Sequence, residues 1–266
     1  MARALEEFQP DVVCVHKMAG LEVLEALVAS VVPRVRMVYD HDLYCMRSSR
    51  YHALTGRACT RSASPYCVVP CGAFLARRPG GAFPLRWVSY RAKQRELELN
   101  RKFQCMIVAS RFMREELLRN GFDEDKIELH APVPGGSEPA PRRPGVTRNL
   151  IIYVGPIVRG QGVDVLVETL ARLRAPFECF IFGEGSHRPH CERLARKLGL
   201  AGRVRFKGDA TPEELLRCYR EAAVAAFTSV WREPLGVAGL DPMRHGLPVV
   251  AFDAGGVKEW LVNGVN

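Results

Sequence analysis

At 266 residues and 47% hydrophobic composition, the chain can bury a substantial core and has room for one or two domains. No uncharged apolar run reaches the roughly 18 residues of a membrane-spanning helix, and Glu6, Glu7 and Asp11 come before any apolar core of a signal pattern could form. The chain is therefore read as a globular cytoplasmic protein, and its net charge of +9 and pI near 9.3 favour an anionic partner: a nucleotide, nucleic acid, phospholipid or acidic glycan.

In chain order, the pattern predicts a helix at residues 2 to 8, the strand Asp11-Val-Val-Cys-Val-His16, and an amphipathic helix from Leu21 to Val31. A strand at Val35 to Tyr39 follows, then a loop punctuated by Gly, Pro and Ser that holds Cys45, Cys59, Cys67 and Cys71. Nine cysteines is an odd count, which fits a reducing compartment better than a closed disulfide framework. Cys14, Cys105, Cys179 and Cys218 lie in apolar stretches and read as small core residues. The four loop cysteines have irregular spacing, which leaves a structural zinc site, free thiols and a disulfide all open.

Between residues 72 and 102, Arg77, Arg78, Arg86, Arg91, Lys93, Arg95, Arg101 and Lys102 surround Phe74, Phe83, Trp87 and Tyr90. This segment reads either as a solvated face or as a surface for anionic lipid headgroups at the inner face of the membrane. It includes a charged helix at Tyr90 to Asn100, after which come the strand Cys105 to Ala109 and a helix from Arg111 to Gly121. Ser110 is placed to cap that helix, with Glu115 and Glu116 near its positive end.

The Pro- and Gly-rich stretch up to residue 147 holds neither helix nor central strand and predicts a linker over 134–147, dividing a domain at 1–133 from one at 148–266. Beyond it the alternation restarts with strand Leu150 to Val154, helix Val163 to Leu173, strand Phe177 to Phe182, a helix near Pro189 to Leu198 and strand Val204 to Phe206. Thr211-Pro-Glu-Glu214 supplies a cap, a proline at the first helical position and a Glu three residues after the cap. Strand Val224 to Thr228, a helix near Leu235 to His245, strand Pro248 to Phe252 and a last helix from Val257 complete the pattern. Strands alternating with helices on both sides of a hinge imply two doubly wound parallel α/β units facing a cleft.

The segment richest in chemistry runs from Thr228 to Glu259. Glu233 ends a loop, Pro234 opens a helix, and Leu235, Gly236 and Val237 present backbone N–H groups at its positive end. That is an anion site suited to a diphosphate, with Gly236 allowing close approach and Asp241 two turns further along. The segment closely resembles glycosyltransferase family 4, the retaining GT-B enzymes whose signature is Glu-Pro-Phe-Gly, a second Glu eight positions on, then Gly-x-Pro-Val-Val-Ala and Gly-Gly-x-x-Glu. Glu233, Gly236, Gly246, Pro248, Gly255, Gly256 and Glu259 match it as they stand. Tyr153-Val-Gly155, Phe182-Gly-Glu-Gly185 and Val204-Arg-Phe-Lys-Gly208 resemble the family's glycine turns and the strand before the nucleotide base, so the resemblance covers nearly all of residues 149 to 266.

The resemblance implies an α/β GT-B fold with two Rossmann-like domains. It also implies a UDP- or GDP-sugar as donor, no required cofactor or catalytic metal, and a glycan or lipid-linked acceptor in surface polysaccharide synthesis. It assigns Glu233 to the donor sugar's hydroxyls, the amides of residues 235 to 237 to the phosphates and Asp241 to the ribose, with Gly155 and Gly185 in the donor turns. Reaction without a compulsory protein nucleophile follows from the same likeness, the leaving phosphate helping to deprotonate the acceptor.

Two departures touch the leaving group. Where the family carries an Arg after its first glycine and a Lys before its second, this chain has Pro156 and Gln161, which bring no charge; Arg159 in the same loop is the substitute. In the first half, Asp40-His-Asp-Leu-Tyr-Cys45 follows a strand where many members have a His-Asp facing the acceptor. His41 is thus a second catalytic candidate, with Tyr39 and His16 as alternatives. Both ends read as incomplete against the family, predicting a gene fragment or shortened chain.

The rival readings are a catalytically weak GT-B fragment that only binds nucleotide sugar, and a non-hydrolysing sugar-nucleotide epimerase of the same architecture. No RNA-binding motif organises the basic residues, so nucleic acid is not an expected partner. No Gly-x-Gly-x-x-Gly follows a strand, which disfavours an NAD enzyme.

Overall fold

A computed structural model describes residues 2–17, 20–52, 55, 57–69, 71–77, 85–132 and 148–266. The chain divides into two compact units, Met1–Pro132 and Val133–Asn266. The linker predicted over 134–147 lies outside the described residues, as do Arg78 and Phe83.

The first unit contains α1 (Ala2–Phe8), β1 (Val13–Val15), α2 (Leu21–Ala29), β2 (Arg34–Val38), a hairpin of β3 (Leu75–Arg77) and β4 (Leu85–Trp87), α3 (Tyr90–Asn100), β5 (Cys105–Val108), α4 (Arg111–Arg119) and β6 (Ile127–Leu129). Its sheet is parallel in the order β1-β2-β5-β6, with Val35 opposite Cys105 and Met106 opposite Ile127. Leu24 and Leu27 of α2, Leu97 of α3, Met106 and Val108 of β5, and Met113 and Leu117 of α4 meet in its core. Each such side chain stabilises the unit by about 1.5–3 kcal/mol through apolar burial.

Two arginines of β2 are buried in this core and serve the fold. Arg34 closes the end of α2 by donating to the carbonyls of Leu27 at 2.7 Å and Ser30 at 2.9 Å. Arg36 donates to Asn100 Oδ1 at 2.8 Å and lies 3.8 Å from Glu96, while burial lowers its pKa. Part of the chain's positive charge is therefore structural.

Ser110 caps α4 as expected, accepting from the Met113 N–H at 3.1 Å. Glu116, however, does not serve the helix's positive end: it lies in the second turn, fully buried, and pairs with the equally buried Arg50 from the cysteine loop. Cys14 is also a correction, since the edge strand β1 turns it outward between Val13 and Val15. The hairpin β3-β4 and the short strand β6 had no clear signal, being three residues each.

The second unit contains β7 (Leu150–Val154), α5 (Val163–Leu170), β8 (Glu178–Phe182), α6 (Arg188–Lys197), β9 (Val204–Gly208), α7 (Pro212–Glu221), β10 (Val224–Phe227), α8 (Val237–Arg244) and β11 (Val249–Ala251). Its five parallel strands run β11-β10-β7-β8-β9. The chain grows outward from β7 through β8 to β9, then returns to place β10 on the other flank. This makes the carboxyl ends of β7 and β10 the topological switch point, where ligands bind in open α/β sheets. Thr211 caps α7 by accepting from the Glu214 N–H at 3.2 Å. The helix expected from Val257 is only a 3₁₀ turn, Gly256–Glu259. Cys179, Cys191 and Cys218 are buried; burial pushes the thiols of Cys179 and Cys191 up to about 12.

Among the described residues, no helix is long and apolar enough to cross a membrane.

Candidate donor site and acceptor pocket

The switch point of the second unit is built by two loops laced together. The loop after β7 turns through the 3₁₀ segment Arg159–Gln161, and the Gly160 carbonyl accepts from the N–H groups of Val230 at 3.0 Å and Trp231 at 3.1 Å in the loop after β10. Thr228 Oγ1 donates to the Gln161 carbonyl at 3.2 Å. Gly162 adopts a left-handed conformation (φ +65°), and a Cβ there would stand 2.0 Å from the Thr228 carbonyl oxygen, so only glycine allows this approach.

The lacing brings Gln161 and Glu233 together. Gln161 Nε2 donates to Glu233 Oε1 at 3.0 Å, and both residues are buried, Glu233 with only 8% of its surface exposed. Burial raises the Glu233 pKa, while hydrogen bonds from Ser229 and Gln161 favour the carboxylate and oppose that rise. Gln161 thus stands where the likeness leads one to expect a lysine, and it holds the acid without a counter-charge. Tyr153 of β7 is buried, its hydroxyl donating to the Pro156 carbonyl at 3.2 Å; burial first and the Glu233 charge second raise its pKa.

Next to Glu233 the chain enters α8. Gly236 is the N-cap residue at φ +81°, and the first N–H groups of the helix have no partner within it. The Glu233 carbonyl accepts from the Gly256 N–H at 2.9 Å, and Trp260 Nε1 donates to the Leu235 carbonyl at 2.6 Å, so the glycine pair and the tryptophan hold the helix entrance in place. Gly239 makes room for Trp260: a Cβ there would lie 2.3 Å from its ring. Val237 is exposed, whereas Leu235 and Gly236 are buried.

The other candidates lie around this centre. Gly155 donates to the Phe182 carbonyl at 3.1 Å, and Ile157 to that of Glu184 at 2.8 Å, binding the turns after β7 and β8 side by side. Gly183 (φ +119°) permits this, because a Cβ would meet the Gly155 oxygen at 2.0 Å. Gly155, Pro156, Gly183 and Glu184 line a cavity of about 330 Å³ that Asp209 and Ala210 close. Gly185 sits against Ile157, and Arg159 is exposed on the 3₁₀ turn. Asp241 is half-buried in α8 and is hydrogen-bonded to the buried Tyr219, whose ring stacks on His245 at 5.4 Å. Proline at 242 removes the N–H that would have bonded within α8 just after it.

Sequence reasoning missed Ser229, Tyr219 and Trp260. The first lies inside the matched segment and the last directly after Glu259, yet their roles depend on contacts that spacing does not show.

In the first unit, a cavity of about 550 Å³ opens beyond the carboxyl ends of β1 and β2, lined by Lys17, Arg36, Asp42, Trp87, Lys93 and Glu96 among others. Lys17 bridges Asp40 at 3.1 Å and Asp42 at 2.7 Å. These two acids raise the lysine's pKa, while Asp42 is held low chiefly by its bond from Lys17 against the effect of its own burial. Trp87 is 80% exposed and stacks on Phe74 at 5.5 Å. His41 does not reach this cavity. It is 1% exposed, its Nδ1 is 2.7 Å from the Tyr44 hydroxyl, and its ring meets Phe112 edge-on, so it is packed into the unit's interior. Tyr39 and His16 are exposed, with ring centroids 6.4 Å apart. The basic segment is partly neutralised: Arg95 pairs with Glu25 and Glu98, Lys93 with Glu96, and Arg101 donates to the Asn120 carbonyl.

Residues 138–266 match the family Glycosyl transferases group 1. Among curated relatives, the chain is 31% identical over 171 residues to a D-inositol 3-phosphate glycosyltransferase of Corynebacterium urealyticum, covering 55% of this chain and 40% of that protein. It is 34% identical over 120 residues to the lipopolysaccharide core biosynthesis glycosyltransferase LpsE of Rhizobium meliloti, covering 44% of this chain and 33% of that one. The chain thus spans less than half the length of these relatives. Among solved structures it is similar to Anabaena HepE in complex with UDP and glucose, with a TM-score of 0.68, 17% identity, and coverage of 100% of this chain and 65% of that one. The galactosyltransferase WaaB of the lipopolysaccharide outer core gives a TM-score of 0.65 at 16% identity, covering 100% and 63%. The fold is GT-B, with two Rossmann-like parallel-sheet domains.

Proposed function

We propose that the protein of this chain is a glycosyltransferase of the EC 2.4 class that moves a sugar, with retention of configuration, from a nucleotide sugar to a glycan or lipid-linked acceptor in surface polysaccharide synthesis. The observation that carries the reading is the Gln161–Glu233 pair at the switch point, beside the entrance of α8. An ionised Glu233 is suited to accept from donor-sugar hydroxyls, and the N–H groups at residues 235 to 237 to bind the diphosphate. Several relatives by fold were solved with UDP, which makes a UDP-sugar the first donor to test. The cavity after β7, β8 and β9 has room for the base, and Asp241 is the ribose candidate, its reach set by its bond to Tyr219.

The cavity of the first unit is the acceptor side in this reading. An exposed tryptophan beside paired charges suits a sugar, which offers one apolar face and many hydroxyls. Arg91 and Lys102, exposed and without an ion pair among the described residues, then serve contact with anionic headgroups of a lipid-linked acceptor at the inner membrane face. His41, buried, is given a positioning role in that loop rather than contact with sugar.

A second reading, a GT-B unit that binds donor without transferring sugar, is favoured by Pro156 and Gln161, which leave the leaving group without the usual charge. Calorimetry against UDP, GDP, ADP and their sugar conjugates, with Glu233→Ala and Gly236→Val as controls, tests donor binding. Transfer assays with product stereochemistry by NMR then separate the readings: an α-linked product from an α-linked donor supports retaining transfer, and tight binding without turnover supports the second. No binding by the folded protein would remove both.

A further inference from the structure

The loop between β2 and β3 borders the first unit's cavity through Asp42, Cys45, Met46 and Ser48, and it carries four cysteines to which neither site above gives a role. Cys45, Cys59, Cys67 and Cys71 come from separate turns of the loop and all line one small cavity of about 20 Å³. All four carry free thiols and are half-buried. No strand or α-helix is found among the described residues from 39 to 74 apart from a 3₁₀ turn at Pro65–Cys67, so the loop is held by turn hydrogen bonds, the Arg50–Glu116 pair and the buried side chains of Leu43, Tyr44, Met46 and Ala73. The Cys71 N–H donates to the Tyr66 carbonyl at 3.1 Å, that of Ala73 to Cys67 at 2.9 Å, and that of Cys59 to Arg50 at 2.6 Å. Irregular loops of this length inside compact units are uncommon and usually carry a function.

Arginines supply an independent observation. Arg47, Arg50 and Arg61 line the same cavity. Arg50 is 2% exposed; it pairs with Glu116 and donates to the Arg61 carbonyl, but its Nε and that of Arg47 are buried with no hydrogen-bond partner among the described residues. Buried guanidinium N–H groups without acceptors carry a desolvation cost, which anionic sulfur in the cavity would offset.

We propose that Cys45, Cys59, Cys67 and Cys71 form a structural zinc site, with the unpartnered Nε–H groups of Arg47 and Arg50 donating to its thiolates. Four sulfur ligands and no open position suit structural zinc. The four sulfurs are not gathered to ligand contact in this structure, and zinc binding would draw them inward and release the thiol protons. Arg50 ties the site to Glu116 in α4, and the Cys67–Ala73 turn leads directly into the hairpin that presents Trp87 at the rim of the acceptor-side cavity. The site would anchor that hairpin.

The rival metal group lies in the second unit, where ligand atoms of Asp164, His187 and His190 are within 4.8 Å of one another. The test is elemental analysis of the full chain purified under reducing conditions, with wild type, Cys67→Ser, Cys71→Ser and His187→Ala compared after circular dichroism has shown each to be folded. About one zinc per chain in wild type and His187→Ala, falling below about one tenth in the folded cysteine variants, is expected. If the cysteine variants do not fold, cobalt uptake by wild type decides: thiolate-to-cobalt charge-transfer absorption supports the site. Overturning results are folded, reduced wild type that holds no zinc and shows no such absorption with cobalt, zinc lost from His187→Ala alone, or a disulfide among the four cysteines by mass spectrometry after alkylation.

Discussion

The carboxyl edges of the two parallel sheets hold their loops in different ways. In the second unit the turns after β7, β8 and β10 touch backbone to backbone, with glycines where a Cβ would lie 2.0 Å from a neighbouring carbonyl. In the first unit the edge is held by charged side chains, Lys17 with Asp40 and Asp42 and Arg50 with Glu116, and its loop is long and irregular. Gly20, at the matching strand-to-helix turn, would place a Cβ no nearer than 3.8 Å to Val23. A backbone-defined edge tolerates few residues and therefore carries a readable pattern, whereas an edge built from long-range pairs admits many.

The sharpest way to break the comparison is to exchange glycines. Gly183→Ala is expected to cost more than about 4 kcal/mol in urea unfolding, and Gly20→Ala less than about 0.5; similar costs for both would remove the distinction. Glu116→Gln leaves Arg50 as a buried charge without its anion, and a loss of about 3 kcal/mol is expected, partly restored by adding Arg50→Met. A loss that does not recover in the double variant would show that the pair is not a unit.

Glu233→Gln tests the donor edge in solution. We expect about a tenfold to hundredfold loss in kcat/KM for transfer, from the hydrogen bonds to a charged acceptor that it removes. The folded pKa of Glu233 is raised above its usual value, so the group favours the folded state below that usual value, and this contribution is lost as pH rises through the raised one. Donor binding should run the opposite way, strengthening over the same window as the carboxylate forms, and Glu233→Gln should flatten both pH profiles. Trp87→Ala should raise the acceptor KM by about tenfold, the equivalent of about 1.4 kcal/mol, while nucleotide binding by calorimetry stays unchanged. Thr211→Ala is expected to cost about 1 kcal/mol in the same urea-unfolding measurement, from the lost helix cap.

Legibility followed the same division. Most of the strand–helix alternation within each unit and the capping residues Ser110 and Thr211 could be read from local pattern, because capping and periodicity depend on residues three or four positions apart. Glu233, Gly236 and the glycine turns were legible through fixed spacing within one segment. Gln161 looked like a plain loss of charge, and only its 3.0 Å bond to Glu233, 72 positions away, shows it holding the acid. Glu116 read as a helix-end charge and His41 as a catalytic candidate facing the acceptor, and both are buried, since a loop distant in sequence packs over the one and Tyr44 and Phe112 enclose the other.

Sequence alone determined the α/β alternation, the glycine turns and the acid beside a helix entrance, because these follow from backbone sterics and short-range hydrogen bonding. Tertiary structure alone decided which loops meet at the switch point, that Asp241 is engaged by Tyr219, and that four scattered cysteines share one cavity with two arginines. Those outcomes rest on chain crossings and burial, which arise only when segments tens of residues apart are brought into contact.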